Sequence, residues 1–146
     1  MDIFKEIRGA LYERDEKEKL RALQMIENLF EYTDLTTSEA NRTNLIQVIG
    51  LLINEVLVEK NSDIRESILF NISQAITYNH TIARSIDWES LVANLSAFVP
   101  HELEYVLYFL GASKNLAYLA LIKSYLNSDI SYLSTSAKEA ISDLTS

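Results

Sequence analysis

NSDIRESILFNISQAI, residues 61–76, reads as a helix from its first turn. Ser62 and Asp63 form a start signal, because a short polar side chain can accept from the free N–H groups of a first turn and an acid suits its positive end. Ile64, Ile68, Leu69, Ile72, Ala75 and Ile76 then recur at the three- and four-residue spacing that lines one helix face. A similar stripe returns in PHELEYVLYFLGAS, residues 100–113, and more weakly in STSAKEAISDL, residues 134–144. Each is preceded by another apolar segment of helical period.

Working outward, the chain has 3 glycines and 1 proline in 146 residues, too few turn-formers for an all-β fold of this size. The periodicity predicts a first helix over residues 2–12 (Asp2 to Tyr12), with Ile3, Phe4, Ile7, Ala10 and Leu11 on one face. A second covers residues 15–32, with Leu20, Leu23, Ile26, Leu29 and Phe30. Ser38 and Glu39 start a third, whose apolar residues (Leu45, Val48, Ile49, Leu52, Ile53, Val56, Leu57) wrap more than one face and predict a central position. Ser62 is expected to cap the fourth, which ends near Asn79. Asp87 is expected to cap a fifth carrying Trp88, Leu91, Val92, Leu95 and Phe98. Pro100 sits where a helix tolerates it, at the first position of a sixth that ends near Gly111. A seventh holds Leu116, Leu119, Ala120, Ile122, Lys123 and Leu126, and a last runs over residues 134–144, extended back toward Asp129.

Taken in twos, these segments predict one all-α domain over residues 1–146: a short right-handed α-solenoid of about four antiparallel helix pairs. An irregular helical bundle is the alternative that the same stripes satisfy. Residues 62–76, with Asp63 two before Arg65, resemble the second helix of a HEAT repeat. NLAYLALIKSYLNSDISYLSTSAKEAISDL, residues 115–144, resembles a whole C-terminal HEAT repeat, with a longer link and without the Arg. In such repeats Arg65 would serve the structure between repeats, and the second helices would line a concave surface about 10 Å apart.

Composition bounds the function. The apolar fraction of 48% excludes a disordered chain. The net charge of −8, from 21 acidic and 13 basic side chains, repels nucleic-acid backbones and anionic lipid and attracts basic proteins. Cysteine is absent, so there is neither a disulfide framework nor a thiolate site, in keeping with a cytoplasmic setting. The charged, amphipathic first twenty residues are not expected to be a signal peptide. The most apolar stretch, residues 44–58, is broken by Gln47, Asn54 and Glu55 and is too short to span a bilayer. The sequons at Asn41, Asn71, Asn79 and Asn94 read as chance in an Asn- and Ser-rich chain.

Motifs for chemistry are missing. His80 and His101 stand apart, with no HExxH, so no metal site and no cofactor is expected. Gly9, Gly50 and Gly111 are isolated, and no nucleophile elbow or phosphate loop occurs. Glu102 with Glu104 and Asp87 with Glu89 lie two apart, on different sides of a helix, and read as solvated faces rather than acid/base pairs. Trp88 reads as core, and His101 as a first-turn surface residue. The expectation is a chain without catalytic residues.

Charge distribution is more telling. Residues 85–113 contain no Lys or Arg but hold Asp87, Glu89, Glu102 and Glu104; extending back to Glu66 adds only Arg84. Setting Ile68 and Leu69 against Val106 and Leu107 places Glu66 on Glu104 and Phe70 on Tyr108. Acid and aromatic are four apart in each helix, so they share a face outside the main stripe. Asp63, Gln74 and Tyr78 extend that face along the fourth helix, and Tyr105 and Glu102 of the sixth join the binding set. These nine residues are the expected protein-binding surface, since aromatics supply contact area and carboxylates pair with Arg or Lys. Asp87, Glu89 and Glu102 are expected to add long-range attraction. Inter-repeat packing of Phe70 and Tyr108, and plain solvation by the acids, are the bland alternatives. In size, charge and repeat type the chain resembles bacterial immunity proteins of contact-dependent and other polymorphic toxin systems. That resemblance implies a non-catalytic protein that neutralises a basic, nuclease-like toxin domain by binding it. A general adaptor would use the same surface. HEAT-like enzymes such as DNA glycosylases rank last, because their groove should be basic.

Overall fold

The computed structural model describes residues 3–13, 15–32 and 38–146, with the backbone alone for residues 30–32. Among the described residues there are eight α-helices, three short 3-10 segments and no strand. The chain divides into two compact units, Met1–Asn79 and His80–Ser146.

In the first unit α1 (Ile3–Tyr12) and α2 (Glu16–Tyr32) form one helix pair, and α3 (Glu39–Val58) and α4 (Ser62–Tyr78) form another. The links between partners are a few residues long, so each pair folds back on itself. α1 also packs on α3, and α2 on α4. The expected stripe of α1 is buried at Phe4, Ile7, Ala10 and Leu11. That of α2 is buried at Leu23, Ile26 and Leu29 with Ala22 added, whereas Leu20 is 48% exposed and drops out of the core. Asp2 and the Phe30 side chain lie outside the described residues. α3 is the central helix expected, burying Leu45, Val48, Ile49, Leu52, Ile53 and Val56. Its cap is Ser38, whose Oγ accepts the Asn41 N–H at 3.3 Å.

The cap of α4 is a correction. Asn61, not Ser62, supplies it, accepting the N–H groups of Asp63 and Ile64 at 2.9 and 3.2 Å; Ser62 is the first helical residue. An Asn side chain reaches its own backbone two and three residues on, so it outcompetes the neighbouring serine. Arg65 closes the α3–α4 link by donating from Nη1 to the carbonyls of Val56 and Glu59. A helix's last carbonyls have no partner within the helix, so the Arg fork satisfies acceptors that the turn leaves open.

The second unit is less regular. A 3-10 segment, His80–Ser85, precedes α5, which is only Glu89–Val92 and is followed by a 3-10 turn at Leu95–Ala97. The long fifth helix expected from the stripe does not form. Asp87 does accept the Glu89 N–H at 3.0 Å, but Asn94 donates to the Ser90 carbonyl and competes with the helical ladder. α6 (Pro100–Ala112) starts at Pro100 as expected. The seventh helix is also shorter: a 3-10 turn at Leu116–Tyr118 runs into α7 (Leu119–Lys123). Leu116 is 63% exposed, and Tyr118 and Ile122 carry the burial instead. Lys114, with φ 57°, turns the chain out of α6 before the Asn115 side chain captures the Ala117 N–H. α8 (Ser131–Thr145) packs on α6 and α7.

The core of this unit centres on Trp88 stacked on Phe109, with ring centroids 5.1 Å apart. The indole N–H donates to the Ala83 carbonyl at 2.9 Å, so a fully buried donor is satisfied. Ile68, Leu69 and Ile72 of α4, and Leu107 and Leu110 of α6, are all buried, as their stripes require.

Candidate functional site

The nine expected surface residues fall on two helices, one in each unit. On α4, Asp63 and Tyr78 are exposed, Glu66 and Gln74 are half-buried, and Phe70 is 38% exposed. On α6, Glu104, Tyr105 and Tyr108 are half-buried. Phe70 and Tyr108 are thus both partly open, as a contact surface requires. Tyr105 and Tyr108 lean on the buried Phe109, at centroid distances of 6.4 and 6.2 Å, so their rings are held by the core beneath them.

Glu102 is a correction. It is 3% exposed, and its Oε1 accepts the Val99 N–H at 3.0 Å. At the third position of α6 its carboxylate reaches back to a free backbone donor and completes the helix start, so it is turned into the fold rather than outward. Glu89, expected to act at long range, accepts the Tyr118 hydroxyl at 2.8 Å. Burial and the Glu89 and Asp87 charges push the Tyr118 pKa up to about 12.

Glu104 and Tyr108 line a groove of about 210 Å³ whose other wall is Ser136, Glu139, Ala140 and Asp143 of α8. Those α8 positions follow the i, i+3, i+4, i+7 spacing of one helix face. The helices meet closely here: a Cβ built on Gly111 would lie 2.8 Å from the Ala140 carbonyl oxygen and 2.9 Å from its Cα. The groove carries three carboxylates. Asp143 is held by Lys114 at 2.7 Å, with His80 Nε2 at 3.6 Å. Glu104 meets the Ser136 hydroxyl at 3.4 Å, and Glu139 is exposed. Sequence reading missed the α8 contribution; the signal was there in Glu139 and Asp143, two acids four apart on one helix.

A second polar cluster sits in the first unit. Lys19 of α2 lies 2.6 Å from Glu55 of α3 and 3.1 Å from Glu59, the residue that follows α3, all three nearly buried. Burial works against the Lys19 charge, but hydrogen bonds and attraction from both carboxylates outweigh it and raise its pKa. For Glu59 burial is likewise overcome, by Lys19 and by the N–H groups of Lys60 and Asn61, and the pKa is lowered. This triad ties α2 to α3 and leaves no reactive atom open.

Among the described residues no three His, Asp or Glu side chains are grouped as a metal would need, and no helix is long and apolar enough to cross a membrane. Comparison with protein-family models, characterised proteins and solved structures returned no match.

Proposed function

We propose that this chain is a non-catalytic protein-binding module that holds a basic protein partner, and most concretely an immunity protein that neutralises a nuclease-like toxin domain in the cytoplasm. The observation that carries the reading is the α6–α8 groove, where half-buried Tyr108 stands beside Glu104, Glu139 and Asp143 in a chain of net charge −8. Rigidly seated aromatics make good anchors, and surrounding carboxylates steer a basic surface onto them. The acids and aromatics of α4 (Asp63, Glu66, Phe70, Tyr78) offer the same chemistry in the first unit. The HEAT-like stacked-pair reading is supported by like packing on like: α1 on α3 and α2 on α4 in one unit, α6 on α8 in the other.

The test is co-expression with a basic nuclease-like domain encoded beside this chain. The expected result is a stable complex that loses nuclease activity and whose association slows as salt rises. Tyr108→Ala should speed dissociation by about thirtyfold, the effect of losing an anchor worth about 2 kcal/mol. Binding without inhibition would make the chain an adaptor. A neighbouring toxin that neither binds nor is silenced would sink the immunity reading.

A further inference from the structure

We infer that the groove between α6 and α8 is a socket for one arginine side chain of the basic partner, with Glu104 and Glu139 as its charge partners and the Tyr108 ring as its wall. This rests on the protein-binding reading above and names what that site takes.

The charge count of the groove is unbalanced. Three carboxylates line it, and the lysine at its edge, Lys114, is committed to Asp143 through the Asp143 carboxylate and backbone carbonyl and to the Ser146 hydroxyl. Among the described residues neither Glu104 nor Glu139 has a cationic partner. The two acids come from different helices, and Tyr108 stands one turn beyond Glu104 on α6. That set suits a guanidinium. It is planar, it can donate to two carboxylates at once, and it stacks on an aromatic ring while its methylenes lie along apolar atoms such as Ala140. A lysine ammonium is a compact, strongly hydrated charge that uses the acids but not the ring face. The cavity, about 210 Å³, is of side-chain size rather than of drug or cofactor size. Gly111 lets α6 and α8 approach closely at Ala140, one of the residues that line the groove.

The probe is a blocked Gly-Arg-Gly tripeptide titrated into the full chain while backbone amide NMR signals are followed, with citrulline and lysine counterparts as controls. The expected shifts concentrate at Glu104, Tyr108, Ser136, Glu139 and Ala140. Citrulline, which keeps the shape and loses the charge, should give none, and lysine should bind several-fold more weakly than arginine. Glu104→Gln with Glu139→Gln should weaken the arginine peptide about tenfold while the rest of the spectrum stays in place. Unchanged affinity in that variant, or shifts mapping elsewhere, overturns the socket and leaves a basic partner free to use another acidic surface. Failure of the arginine peptide to shift any signal, together with failure to capture a basic nuclease domain, overturns both readings.

Discussion

Gly111→Ala should destabilise the second unit, and the same change at Gly9 or Gly50 should stabilise the first. In each case a helical glycine gains a methyl group. Alanine is favoured over glycine inside a helix by about 0.5–1 kcal/mol, because the unfolded chain loses freedom and the helix gains nothing it must accommodate. At Gly9 of α1 and Gly50 of α3 a new Cβ meets nothing within 4 Å, so that gain should be realised in full. At Gly111 the new Cβ falls 2.8 Å from the Ala140 oxygen, 2.9 Å from its Cα and 3.2 Å from its Cβ. Two of these are backbone atoms of α8, which cannot rotate away as a flexible side chain could. α6 and α8 must separate by several tenths of an ångström along their contact, and overpacking of this kind costs about 1–3 kcal/mol. Subtracting the propensity gain leaves a net loss of about 0–2.5 kcal/mol, centred near 1, set against a gain of up to about 1 kcal/mol at the two control sites. Urea denaturation followed by far-UV circular dichroism, with a tryptophan fluorescence trace that reports Trp88 in the second unit, measures both. A Gly111→Ala protein at least as stable as the parent would refute the close approach of α6 and α8, and with it the shape of the groove above.

Lys19→Met should cost on the order of 2–4 kcal/mol, because it strands two carboxylates that are mostly shielded from water; denaturant midpoints check it, and a change under about half a kcal/mol would mean the triad is solvated. The triad also predicts a pH dependence. Glu59 is held below its ordinary value of 4.5, so its contribution is present above that pH and is lost as pH falls through the folded value. Lys19 is held above 10.5, so its contribution is intact below that pH and is lost as pH rises through the folded value. Thermal melts across pH, compared between the parent and Glu59→Gln, should show the acid-side loss only in the parent. Tyr118→Phe should cost about 1 kcal/mol by removing the bond to Glu89. It should also remove the stability loss expected between about pH 10 and 12, where the unfolded tyrosine ionises and the folded one does not. Glu102→Ala should lower stability by about 1 kcal/mol through the lost Val99 contact, while leaving the salt dependence of partner binding unchanged.

What the sequence determined by itself was the helical class and the inward faces of the long helices. Period-3.6 stripes are local facts, and where one ran through α1, α3, α4 or α6 the same residues are buried, save Ile3 and Leu57, which are half-buried. Trp88 was also correctly read as core, whereas Arg65, expected to serve the structure between repeats, bonds the α3–α4 link within one helix pair. The errors fell where short-range competition decides. Asn61 displaced Ser62 as a cap, and Asn94 cut short a helix whose apolar spacing continued. Of the expected surface, Phe70 is partly exposed and Glu104 and Tyr108 are half-buried, but Glu102 is turned inward, because a carboxylate three residues into a helix can reach a free backbone N–H of the helix start. Only the tertiary structure decided what stands opposite each helix. Lys19 finds Glu55 and Glu59, Tyr118 finds Glu89, and Gly111 admits Ala140, and each depends on the register between segments far apart in the chain. The groove exists for that reason: Glu104 and Tyr108 make one wall, and its second wall comes from α8, which no local pattern could bring to them.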